Sequence, residues 1–119
     1  MEVFMDEQLQ KALEFSNFTV TLNNQKRVLK EKYTEELVLY YQNGKFTVTQ
    51  PFFSFVSSLV SMEISQTVIV DDNETPIQID DVLEFFTNVK QTYVTATNKY
   101  LNEYQELSKK RNVQGLVDV

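Results

Sequence analysis

Neither cysteine nor histidine occurs in the 119 residues of this chain, and tryptophan is absent as well. Without cysteine there is no disulfide framework and no thiol nucleophile. Without histidine the commonest general base and the commonest metal ligand are both missing. A zinc cluster is excluded on these grounds, and so is any triad built on Ser-His or Cys-His. Glycine and proline occur only twice each, so no glycine-rich loop can cradle a phosphate and no Gly-x-Ser-x-Gly elbow exists. No run of about 18 apolar residues marks a membrane span. Basic residues are in the minority, 11 against 17 acidic, for a net charge of −6. Such a surface disfavours a phosphate backbone or an anionic membrane as partner. The opening segment MEVFMDEQLQ is acidic and polar where a secretory signal is basic and then apolar. These absences lead to the expectation of a cytoplasmic, non-enzymatic protein with no catalytic residues, no cofactor, no metal and no membrane association, for which nucleic acid is a poor partner.

What is present is the pattern of a small globular domain. The length fits one domain, and a chain of this size buries roughly two-thirds of its unfolded surface. Hydrophobic residues make up 42% and aromatics 13%, which places the chain with folded rather than disordered sequences. The scarce glycines and prolines then act as punctuation. Asn43-Gly44, between ELVLYY and KFTVTQ, is a strong short hairpin signal with positive φ expected at both residues, giving a hairpin over 36–50. In TQPFFSFVSSLVS, Thr49 suits an N-cap and Pro51 a first turn, while Phe52, Phe55, Val56, Leu59 and Val60 have helical spacing. A short helix is expected over 51–61.

The segment TVIVDDNETPIQID reads as a second hairpin over 67–79, with Val68 and Val70 before its turn and Ile77 and Ile79 after it. Asp80 is then placed to cap a long helix, with Glu84 near its positive N-terminal end. Apolar positions continue at spacings of mostly three or four through Val89, Tyr93, Ala96, Tyr100, Tyr104 and Leu107, so a helix is expected over 80–111 and a tail over 112–119. Its length would be roughly 45 Å. The two hairpin segments correspond at an offset of 30, Val38 over Val68 and Asn43 over Asn73, with one extra residue in the second turn. This suggests a ββα repeat. Before the first hairpin, Leu9, Leu13, Phe18, Leu22 and Leu29 suggest a helix over 6–33, although FTVTL alternates as a strand would. The fold class expected is α+β: one domain in which an antiparallel helical hairpin carries a ββαββ head. Charge complementarity would set Glu7 near Lys109 and Lys110, and Lys30 and Lys32 near Asp81 and Glu84.

Only one stretch invites a chemical reading. Asp71, Asp72, Glu74, Asp80 and Asp81 stand close together, but a calcium loop needs ligands at its positions 1, 3 and 5, Gly at 6 and Glu at 12. Counted from Asp71, those later places fall on Thr75, Pro76 and Val82; counted from Asp72, the fifth is Pro76. Turn and cap roles fit better. As an alternative these five are a candidate acidic contact for a basic, nucleic-acid-processing enzyme. Tyr93, Tyr100 and Tyr104 have the residue type of a base-stacking platform, yet their helical spacing and the net charge favour packing or a protein interface. Phe52, Phe53 and Phe55 likewise suit either core or an interface. The two basic runs, around Lys26–Lys32 and Lys109–Arg111, suit solvated helix faces, the second also a helix C-terminus.

The order helix, hairpin, short helix, hairpin, helix resembles the α-type prefoldin subunit. That resemblance implies a β-rich oligomerisation module bearing paired coiled-coil helices, and a chaperone-like role. Separately, KALEFSNFTVTLNNQKRVLKEKY, NGKFTVT and YLNEYQELSKKRNVQGLVDV are similar to small proteins of contractile-tailed phages of marine cyanobacteria, which implies a setting in phage assembly or host takeover. The expectation is a protein–protein interaction protein, an assembly factor or chaperone-like subunit that forms a homo-oligomer, with Phe52, Phe53, Phe55, Tyr93, Tyr100 and Tyr104 as candidate interface residues.

Overall fold

Two long helices and two β-hairpins joined by a short helix build the molecule. The computed structural model describes the backbone of residues 2–118 and the side chains of residues 6–110. Its elements are α1 (Glu2–Glu36), β1 (Val38–Tyr41), β2 (Gly44–Thr47), α2 (Gln50–Ser61), β3 (Thr67–Val70), β4 (Pro76–Ile79) and α3 (Val82–Asp118). β1 pairs antiparallel with β2, and β3 with β4, as two separate two-stranded sheets. The class is α+β, and the molecule measures 76 × 26 × 18 Å. Among the described residues no helix is long and apolar enough to cross a membrane.

The core lies where α2 and the inward faces of the hairpins close on the first turns of α3. Phe46, Val48, Val56, Ile79, Val82, Phe85 and Val89 are all essentially inaccessible to solvent. Phe85 is the hub: the rings of Tyr41, Phe46 and Phe52 stand 5.0, 5.2 and 6.2 Å from it, edge-on, the arrangement aromatic quadrupoles prefer. Thr49 caps α2, its hydroxyl accepting from the Phe52 amide at 3.2 Å. The cap of α3 is Asp81 rather than Asp80: the Asp81 carboxylate accepts from the Glu84 amide at 3.0 Å. Asp80 instead accepts from the Gln78 side chain.

Stretches with mixed signals resolve through packing. FTVTL is helical because Leu22 buries against the second long helix, and the Thr19 hydroxyl bonds back to the Phe15 carbonyl at 3.0 Å. The expected tail is helix as well, since α3 passes Gly115 to Asp118; a single interior glycine costs about 1 kcal/mol and does not by itself end a long helix.

The helical pair is antiparallel but not in the register that charge matching suggests. Lys32 bonds Glu103 at 3.0 Å and Lys99 bonds Glu36 at 2.8 Å. Tyr33 stacks on Tyr100 with centroids 4.5 Å apart and planes at 15°. Lys32 thus meets α3 about five turns beyond Glu84 and about six beyond Asp81. The reason is occupancy: Val82, Phe85 and Val89 are committed to the core, so α1 can reach α3 only past them.

Candidate interaction surface

The two-residue turn of the first hairpin fixes everything downstream. Tyr41 faces Gly44 across the ladder, so the turn residues are Gln42 and Asn43, with φ of 52° and 65°. Two successive positive φ values are what a type I′ turn requires. Sequence reasoning puts the turn on Asn43-Gly44, one residue late. Gly44 is needed for a different reason: a Cβ there would lie 2.8 Å from Ile77 Cγ1 and 2.9 Å from Phe46 Cε2. The first hairpin therefore rests directly on the second.

Hydrogen bonding alternates along each strand. The Val48 amide donates to the Leu37 carbonyl at 2.8 Å, so Leu39 and Tyr41 bond inward to β2, while Lys45 and Thr47 point their amides outward. That outer edge of β2 is closed by the acidic turn. The Lys45 amide donates to Asp71 Oδ2 at 3.0 Å and the Thr47 amide to Asp72 Oδ1 at 3.2 Å. In return the Asp72 amide donates to the Lys45 carbonyl at 2.8 Å, and the Thr47 hydroxyl donates to Asp72 as well. Two carboxylates stand in for a neighbouring strand. Asp71 is buried and also accepts from the Asn73 and Thr75 amides at 3.0 and 2.8 Å. The Lys45 and Thr75 amides, with Asn73 adding less, outweigh desolvation and hold its carboxyl below the usual aspartate range. No signal in the sequence tells that these turn carboxylates serve the other hairpin.

Of the five acidic candidates, Asp71, Asp72 and Asp81 are thus engaged in backbone hydrogen bonds, and Asp80 holds a side-chain amide. Glu74 is exposed, at the positive-φ position (61°) of its turn. Among the described residues no group of acidic side chains is arranged to hold a metal ion.

The aromatic candidates divide. Phe52 and Phe53 pack on the core, and Tyr93 lies against Phe53 at 5.3 Å with its hydroxyl accepting from Gln50. Tyr100 is taken up by Tyr33. Tyr33 has its phenol pKa raised by burial and by neighbouring Tyr93 and Tyr100. Tyr104 is partly exposed and carries Lys26 Nζ 5.7 Å above its ring. Phe55, one of the candidate interface residues, is the outward ring of α2 at 47% exposure. The three tyrosines of α3 therefore do not form a free stacking platform.

Among the described residues three strand edges are left without partners, those of β1, β3 and β4, the last with Pro76, which has no amide hydrogen, and Gln78 facing outward. On β1 the outward groups belong to Val38 and Tyr40. On β3 the Asp71 amide donates to the Thr75 carbonyl, so the outward groups belong to Val68 and Val70. Among the described residues no backbone hydrogen bond engages these four amides. Val68 and Val70 are also 59% and 60% exposed. Sequence reasoning singles out Val68 and Val70 as the patterned positions of this strand, but Ile69 is the one that enters the core.

The edge of β1 borders a cleft of about 470 Å³, walled by Val38, Leu39 and, from α3, Asn88, Gln91, Thr92 and Thr95, with the Glu36–Lys99 pair at one end. A second groove of about 490 Å³ runs along the helical pair beside Val28, Leu29 and Leu107.

No protein-family model, curated protein or solved structure significantly matches this chain.

Proposed function

We propose that the protein is a non-enzymatic interaction protein, an assembly factor or chaperone-like subunit, whose ββαββ segment is a head that associates through its open strand edges. The observation that carries this reading is β3: a strand with an unpaired edge and two exposed valines, Val68 and Val70. Strands of that kind are templates for pairing with another chain. On β2 the equivalent groups are covered by Asp71 and Asp72, so edge protection is selective within the same head. The element order, which underlies the resemblance to α-type prefoldin subunits, supports the same reading by analogy of topology.

An acidic adaptor that mimics phosphate spacing is a weaker reading, because the Asp71, Asp72 and Asp81 carboxylates already accept backbone amides. Neutralising them should reduce folding before it reduces binding to any basic partner.

Size-exclusion chromatography with light scattering tests the proposal. The expected result is a species heavier than the 14.0 kDa chain, reduced to monomer by Val68→Lys with Val70→Lys. A wild-type protein that stays monomeric at all concentrations and binds no protein would sink the reading.

A further inference from the structure

Helix α1 carries apolar residues on two opposite faces, and α3 uses one of them. Phe18, Leu22 and Leu29 lie on the side of Tyr33, which stacks on Tyr100 of α3. Leu22 is buried there and the other two are half-buried. Leu9, Leu13 and Val20 each stand nine residues before one of these three, which is two and a half turns of helix. They therefore lie on the far side of α1, where they are 60%, 54% and 55% exposed. Exposed leucines scattered singly over a surface need no partner. These are not scattered: positions 9, 13, 16 and 20 follow the alternating steps of four and three at which one helix packs on another, and all four are exposed.

Charge at the two ends of the stripe identifies what covers it. The same steps lead back to Asp6 and forward through Asn23 to Arg27. Asp6 and Arg27 are both exposed. Among the described residues Asp6 makes no ion pair, and Arg27 pairs with Glu31 of its own helix. A stripe that is negative at one end and positive at the other is complementary to itself turned end for end, as a two-fold contact requires.

We propose that this outer face of α1 pairs antiparallel with the same face of a second copy. In the register that matches the stripe, Leu9 lies against Val20, Leu13 against Ser16, and Asp6 against Asn23, one turn from Arg27. A parallel pair would set Asp6 on Asp6 and Arg27 on Arg27, and like charges brought together oppose association. The inference does not rest on the β3 edge. Antiparallel pairing sends the two heads to opposite ends, so it joins molecules, or assemblies already formed by their heads, through their stalks. Three aliphatic side chains from each copy make a small contact, with a Kd of about 1 mM once the cost of association is met. In dilute solution the Val68→Lys, Val70→Lys variant is therefore still a monomer.

The test is sedimentation equilibrium on the full chain carrying Val68→Lys and Val70→Lys, which removes the head contact, over concentrations reaching about 1 mM. The expected result is a mass that rises from monomer towards dimer and no further. Leu13→Glu in the same background, at an exposed site, should hold the mass at monomer with the circular dichroism spectrum unchanged. Arg27→Glu should weaken the association about threefold, as for an exposed charge contact. Adding Asp6→Arg should restore it, because exchanged charges meet again in an antiparallel pair and not in a parallel one.

A mass that never rises would overturn the pairing, and so would a rise that Leu13→Glu leaves in place. Failure of the exchanged pair to restore association would overturn the antiparallel arrangement. The head reading fails by a different result: a dilute wild type with the same mass as the Val68→Lys, Val70→Lys variant.

Discussion

Asp71 keeps its charge because three backbone amides point at it, and this ties folding to pH. Its folded pKa lies below the unfolded value of about 3.9. The stabilisation it gives is therefore present above that unfolded value and is lost as pH falls through the folded one. Thermal unfolding followed by circular dichroism should show the wild type losing stability between about pH 5 and pH 2.5 more steeply than Asp71→Asn. A parallel dependence in the two proteins would remove Asp71 from the account. Gly44 carries a second residue-scale prediction. Its φ is not positive, so Gly44→Ala is resisted by contact alone, against Ile77 and Phe46. Overpacking of this kind costs about 1–3 kcal/mol, to be read from the urea midpoint. The need for a small residue near position 44 was legible in the sequence. The cause was not, because it lies in a hairpin thirty residues away.

The elements themselves were mostly legible, since periodicity reports which face a helix or strand buries. Both hairpins, the short helix and the two long helices fall close to where the apolar spacing puts them. Their mutual placement did not follow. Lys30, Lys32, Glu84 and Glu103 offer several registers of similar charge complementarity, and exposed ion pairs differ too little in energy to choose among them. Burial of Phe85 and Val89 under α2 chooses instead. The same limit applies to the phenylalanines of PFFSFV, which are alike in type while Phe52 and Phe53 pack inward and Phe55 faces out. Phe85→Ala should therefore cost about 3–5 kcal/mol in chemical denaturation. Phe55→Ala should fall within about 0.5 kcal/mol of wild type, as surface substitutions do. A large loss at Phe55 would mean that this ring is covered in solution.

At the scale of the molecule, the offset register makes the chain long. The Cα radius of gyration is 22.3 Å, against about 14 Å for a compact domain of this length. Small-angle scattering on the monomeric Val68→Lys, Val70→Lys variant should give a value near the former, and one near the latter would mean that α1 folds back in solution.

The most direct test of the account is amide hydrogen exchange at Val68 and Val70, followed by NMR across a concentration series. The open-edge account predicts fast exchange in dilute protein and slowing at both residues as the mass rises, with no slowing in the Val68→Lys, Val70→Lys variant. If the mass rises while both amides continue to exchange at the dilute rate, the β3 edge is not the contact and the central claim fails.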